Sequence, residues 1–169
     1  MLRLFCYLSG ILLISALPQE AHAALKRWNR AGLDQYTKQV ARERGWTLVG
    51  EGWMRDGDIE EIAVTYKSHQ RMQIPDARRV IVEEVQKAVP MIQAKQKPKT
   101  LENIGRPFTY ESFSYMLSFY DKRNENYSSP YLDSAALVCG YVVYWSEGKK
   151  IHEETFEEAL RIVEAESRG

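Results

Sequence analysis

The chain has 169 residues, and its 23 lysines and arginines balance its 23 aspartates and glutamates, so the formal net charge is zero. Proteins that bind nucleic acid usually carry a clear basic excess, because phosphate contacts supply much of their affinity. The balance argues against a nucleic-acid partner, and the sequence has no polybasic block for an anionic membrane surface.

The N-terminus has the pattern of a secretory signal peptide. Arg3 supplies a positive charge, Leu4 to Leu17 is almost wholly apolar, and Ala21 and Ala23 are small residues at a peptidase site. The alternative is an uncleaved anchor, but a spanning helix needs roughly 20 apolar residues. We therefore predict a signal peptide at 1–23 and a periplasmic or secreted protein with no membrane span after cleavage.

Residues 24–169 are long enough for a single domain with one core. Cys6 would leave with the signal peptide and Cys139 would remain, and one thiol cannot form an internal disulfide. Cys139 ends the apolar run 135–139, so we predict that it is buried as a small hydrophobic residue.

The first elements after the signal are a helix and a hairpin. Leu25 to Arg44 has apolar residues at helical spacing, and Gly45 follows as a C-terminal cap. Trp46 to Met54 and Ile59 to Lys67 flank an Asp-Gly turn, which predicts a β-hairpin.

A second helix begins at Ile74, because Pro75 suits the first helical position and a clear apolar stripe follows. We expect Pro90 to kink this helix or to end it early. Gln93 to Arg106 is polar and carries Pro98 and Gly105, which predicts a loop with at most one helical turn.

The strongest strand pattern runs from Ser112 to Tyr120, where apolar and smaller residues alternate, so that Met116 and Ser118 share the second face. Ser134 to Cys139 and Tyr141 to Trp145 predict two short strands that form a tight hairpin. Residues 147–150 then predict a turn, and the capping box of Thr155 and Glu158 begins a last helix.

The predicted order is α-β-β-α-β-β-β-α. Hairpins outnumber βαβ units, which favours a single α+β domain with an antiparallel sheet of about five strands and helices packed on one face.

Part of the chain resembles an uncharacterised family of small exported bacterial proteins. The resemblance covers about Ile74 to Val163 and rests on segments that mark a helix start, a turn and a capping box. These segments are Pro75–Val85, Pro107–Thr109, Gly140 with Tyr144, and Glu154–Ala159. The family has no assigned activity, so the resemblance implies export and one α+β domain and supplies no catalytic residue.

No residue pattern predicts a metal or a cofactor. His152-Glu153 begins like a zinc-protease motif, but Phe156 stands where the second histidine is needed. The acidic residues of 56–60 begin like a calcium loop, but Glu61 and Lys67 stand where the loop needs glycine and glutamate. We therefore assign no catalytic residue, no metal ligand and no cofactor.

Three functions remain open. The aromatic residues Tyr141, Tyr144 and Trp145 favour an exported interaction or ligand-binding domain, with a half-exposed sheet face that takes an unknown protein or small molecule. The first alternative is a secreted enzyme, for example one that pairs Cys139 with His69 or His152. The second alternative is a chaperone-like α+β domain.

Overall fold

The structure is a computed structural model that describes the backbone of residues 19–56, 59–94 and 108–169, and the side chains of residues 32–52, 61–94 and 108–169. The predicted signal peptide lies mainly outside these residues, and its last five residues form the start of the first helix. The Asp-Gly turn at 57–58 and most of the loop from Gln93 to Arg106 also lie outside the described residues.

The described residues form an α+β domain with three α-helices and one six-stranded sheet. The helices are α1 (Gln19–Arg44), α2 (Ile74–Ala94) and α3 (Phe156–Glu166), and a single 3-10 turn spans Tyr110–Ser112. The strands are β1 (Thr47–Asp56), β2 (Ile59–Ser68), β3 (Phe113–Phe119), β4 (Ser134–Val138), β5 (Tyr141–Ser146) and β6 (Lys149–Thr155).

The strands lie in the sheet in chain order, β1 to β6. Four of the five neighbouring pairs are antiparallel, as predicted, but β2 and β3 are parallel, so the sheet is mixed. The reason lies in the connection between them. It contains α2, and a helical crossover allows the chain to enter the sheet again in the same direction.

The sixth strand, β6, was not predicted. The sequence from Lys149 is charged and lacks the alternation of a half-buried strand, and its first five residues are exposed. It forms because it pairs with β5. The tight turn at Glu147-Gly148, where both residues have positive φ, brings the two strands side by side.

All three helices contribute to one core that packs on a single face of the sheet. The alternation of β3 places its buried side chains on this core face, as predicted. Those side chains are Phe113, Tyr115, Leu117 and Phe119. The same face carries Ile62, Val64 and Tyr66 of β2. We call the opposite side of the sheet the open face.

The structure confirms the predicted end of α1 and the predicted starts of α2 and α3, whereas α1 begins at Gln19, before the predicted start at Leu25. Gly45 has φ +67° and donates its N–H to the carbonyl of Ala41 at 3.1 Å, which ends α1. The capping box of Thr155 and Glu158 begins α3. Helix α2 does not end early, since it continues beyond Pro90 to Ala94.

Cys139 is exposed, so the prediction that its thiol is buried is wrong. The residue follows the last residue of β4 and has φ +50°, and Gly140 has φ +78°. Positive φ at both central positions is what a type I′ hairpin turn requires. The apolar run therefore ends one residue earlier than its composition suggests, and Cys139 belongs to the turn.

Candidate functional site

Two neighbouring rows of facing residues cross the open face from β2 to β5. The first row ends on an indole ring and consists of Lys67, Ser118, Ser134 and Trp145. The second row is more apolar and consists of Thr65, Met116, Ala136 and Val143. An apolar floor beside a line of hydroxyl groups is the usual composition of a small-ligand site.

A shallow cleft of about 320 Å³, open to solvent, lies over these rows at one end of β3, β4 and β5. Its lining combines two large apolar side chains with several hydrogen-bonding groups. The lining residues are Met116, Ser118, Tyr120, Asn126, Asp133, Ser134, Trp145 and Gly148. The volume is at the lower end of the range for sites that hold a small organic molecule.

Asp133 fixes the shape of this cleft. Its carboxylate is buried and accepts hydrogen bonds from the Ser134 hydroxyl at 2.9 Å and from the Gly148 N–H at 2.6 Å. Its backbone N–H donates to the carbonyl of Trp145 at 3.0 Å. One residue therefore holds the start of β4, the end of β5 and the turn before β6 at fixed positions around the cleft.

The rim of the cleft is a loop held by polar contacts. Asn126 forms an isolated bridge with Tyr120, and the Lys67 ammonium group lies 4.8 Å from the centre of the Tyr120 ring. Lys67 also donates a hydrogen bond to the Asn124 side chain. Asp121 accepts hydrogen bonds from backbone N–H groups of the loop, and these bonds lower the pKa of its carboxyl group.

The structure places the three aromatic residues that the sequence offered for a half-exposed sheet face in different surroundings. Trp145 is half-buried on the open face and lines the cleft. Tyr141 is 38% exposed and lies at the other end of β5. Tyr144 is fully buried on the core face, because neighbouring residues of a strand point to opposite sides. Tyr144 therefore does not lie on an exposed sheet face with the other two residues.

Tyr144 belongs instead to a buried polar group between the sheet and α2. Its hydroxyl donates to Glu154 at 2.5 Å, and Arg78 of α2 donates to the same carboxylate oxygen at 2.8 Å. Burial, together with the bond to Glu154, raises the pKa of Tyr144. His152 stacks on the Tyr144 ring, with 5.6 Å between ring centres. These contacts join β5, β6 and α2, which is a structural role.

A second buried polar group lies below α1, around Glu84 of α2. Glu84 is 1% exposed, and it accepts hydrogen bonds from Tyr36 at 3.2 Å and from Arg44 at 3.0 Å. The hydroxyl groups of Tyr66 and Tyr115 are buried nearby, and burial raises the pKa of both. These contacts tie α1 to α2, and the Tyr36 ring also packs against Phe113 of the sheet, which is a structural role.

The structure does not bring Cys139 and His69 together. Cys139 follows the last residue of β4, whereas His69 follows β2 and contacts the carbonyls of Tyr120 and Asp121, at the level where β4 begins. The length of β4, about 13 Å for five residues, separates these two levels of the sheet. A thiol–imidazole pair with His69 is therefore excluded by the topology.

Two findings concern other classes of site. Among the described residues, no group of three histidine, cysteine, aspartate or glutamate side chains is arranged to hold a metal ion. Within the same residues, the helices lack the long apolar sequence that crossing a bilayer requires.

Comparisons with protein-family models, with curated proteins and with solved structures find no match to this chain.

Proposed function

We propose that the protein is an exported binding protein whose cleft on the open face takes a small neutral ligand with one apolar side and several hydroxyl groups. A short saccharide has this chemistry. The observation that carries the proposal is the position of the Trp145 indole beside the paired hydroxyls of Ser118 and Ser134.

The lining explains why such a ligand would fit. An aromatic ring and the Met116 side chain offer apolar contact to the C–H groups of a sugar ring. The Ser118 hydroxyl and the Asn126 amide can donate and accept hydrogen bonds, and the Ser134 hydroxyl, which donates to Asp133, can still accept one, which matches the hydroxyl groups of a sugar.

The charge of the cleft also favours a neutral ligand. The one carboxylate in the lining, that of Asp133, already accepts hydrogen bonds at both of its oxygens. The nearest ammonium group, that of Lys67, is engaged by the Tyr120 ring and by Asn124. Both charged groups are therefore held by partners within the protein, and the other groups of the lining, which would face the ligand, are neutral.

Titration of the 15N-labelled protein with cellotriose and chitotriose, followed by NMR, tests the proposal. We expect amide shifts at Ser118, Ser134 and Gly148 and at the Trp145 indole N–H, and we expect Trp145→Ala to remove them. Tyr141→Ala is the matched control, because Tyr141 is an aromatic residue of the same strand outside the cleft. Shifts confined to other surfaces, or binding that survives Trp145→Ala, would contradict the proposal.

A further inference from the structure

The outer edge of β6 carries a sequence of charges that is complementary to itself. β6 is the last strand of the sheet, and in the described part of the chain no strand pairs with its outer side. Its sequence from 149 to 154 is Lys-Lys-Ile-His-Glu-Glu. When two such strands run antiparallel about a two-fold axis between Ile151 and His152, Lys150 lies opposite Glu153 of the other copy. Lys149 lies opposite Glu154, whose carboxylate is already bound by Arg78 and Tyr144 within its own chain.

We propose that β6 pairs in this register with β6 of a second copy of this chain, so that two sheets join edge to edge in a homodimer. This inference concerns assembly and does not depend on what the cleft binds, because the cleft lies on the open face and not at the outer edge of β6.

A β-bulge in β6 makes the register possible. Tyr144 lies opposite His152 and Trp145 lies opposite Lys150, so Ile151 is an extra residue in the ladder. In a regular strand, residues three apart point to opposite faces. Here Lys150 and Glu153 share a face, because their side chains form an ion pair at 2.8 Å. Lys150 of one copy and Glu153 of the other would therefore meet on the same side of the joined sheet.

The charges favour this register over its neighbours. A slip of two residues in one direction places Lys150 opposite Ile151, and a slip in the other direction places it opposite Thr155. Neither of these registers pairs Lys150 with an opposite charge, whereas the proposed one forms two Lys150–Glu153 pairs by symmetry. Ile151 is 51% exposed and lies at the centre of the strand, so pairing would also cover apolar surface.

The alternative is that this edge is protected against pairing. Lysines and a bulge at a sheet edge commonly oppose contact with other strands. To prevent pairing, an edge strand needs only charge repulsion or a distorted backbone. It does not need two glutamates placed symmetrically to two lysines, as they are in β6. The two possibilities predict different oligomeric states and different effects of charge reversal.

Analytical ultracentrifugation of the protein, expressed from its full sequence and purified in the form that the cell accumulates, tests the proposal. We expect a reversible dimer at concentrations up to about 200 µM. Lys150→Glu places two glutamates opposite each other, and Glu153→Lys places two lysines opposite each other. Each variant alone should raise the dimer Kd by about tenfold or more.

A mixture of the two variants distinguishes the effect of Lys150–Glu153 pairing between copies from the effect of the ion pair within one copy. Lys150→Glu and Glu153→Lys, combined in equal amounts, have complementary edges and should form a heterodimer with a Kd near that of the wild type. Lys122→Glu reverses an exposed lysine outside β6 and should leave the Kd unchanged. Circular dichroism of each variant checks that the fold is intact.

Three results would overturn the inference. The wild type could remain monomeric over the whole concentration range, the single variants could dimerise as well as the wild type, or the mixture could fail to restore association. A dimer whose Kd is unchanged by both charge reversals would show that the contact lies elsewhere on the molecule.

Discussion

Arg44, the last residue of α1, forms hydrogen bonds with the buried carboxylate of Glu84 in α2, and this contact joins two helices that are distant in sequence. The Arg44 Nη2 atom also contacts Glu83 at 2.6 Å, so one guanidinium group serves two neighbouring carboxylates. The side chain of Arg44 is partly buried and lies against the Trp46 ring. The contact therefore closes the end of α1 over the core.

Replacement of Arg44 by methionine should destabilise the protein by about 3 kcal/mol, because it leaves the buried Glu84 carboxylate with only the Tyr36 hydroxyl at 3.2 Å and the Lys87 ammonium group at 3.4 Å. Arg79→Met is the matched control, since Arg79 forms an exposed ion pair with Glu166. The control should cost less than about 1 kcal/mol. Urea unfolding measures both variants, and equal losses would show that burial of Glu84 does not determine the cost.

Replacement of Asp133 by alanine should cost about 2 kcal/mol, because the Gly148 N–H and the Ser134 hydroxyl both lose their acceptor. Asp133→Asn keeps one carbonyl oxygen and should lose less. Thermal unfolding gives the stability of both variants. In NMR spectra, Asp133→Ala should also shift the amide signals around the cleft, and an unchanged Gly148 signal would contradict the role given to Asp133.

Replacement of Cys139 by asparagine should stabilise the protein by about 0.5 kcal/mol, because Asn-Gly is the preferred pair for a turn with two positive φ angles. Cys139→Val is the contrasting variant, since a β-branched residue at φ +50° should cost about 1 kcal/mol. Chemical denaturation compares the two. Equal stability of the two variants would mean that the backbone at position 139 does not constrain the choice of residue.

Replacement of Thr155 by alanine should cost about 1 kcal/mol at neutral pH, because the Glu158 N–H loses its acceptor, whereas Thr155→Ser keeps the hydroxyl group. Hydrogen bonds from the Thr155 backbone N–H and hydroxyl lower the pKa of Glu158 in the folded protein. Their contribution is present above the unfolded pKa of about 4.3 and is lost as the pH falls through the lower folded value.

The difference in the free energy of unfolding between the wild type and Thr155→Ala should therefore shrink as the pH falls from about 5 to about 3. Unfolding curves at several pH values measure this difference. A penalty that stays constant over this range would show that the ionised form of Glu158 contributes nothing to the cap.

The sequence predicts the elements whose side chains alternate between core and solvent, and it fails where neighbours decide the structure. β3 was predicted almost to the residue, because its buried and smaller side chains alternate without exception. β6 has no such pattern, since only its pairing with β5 makes it a strand. The parallel pairing of β2 and β3 depends on where α2 packs, which no local pattern records.

The same distinction applies to the candidate site, because one part of it could be predicted from the sequence and another part could not. The period of two in a strand places Tyr141 and Trp145 on the same face as each other and Tyr144 on the other face, so that part could be predicted from the sequence. Asp133 could not, because its partner Gly148 comes from a turn that meets it only after β4 and β5 have paired. A cleft of this kind exists only once three strands are in register.

The order of the strands in the sheet affects how the chain folds. β3 to β6 form a meander in which each strand pairs with the next one along the chain, so their contacts are local. β2 and β3 must meet across the long connection that contains α2, and closing it costs more chain entropy. We therefore expect the C-terminal meander to form early and the joining of β2 to β3 to limit the folding rate.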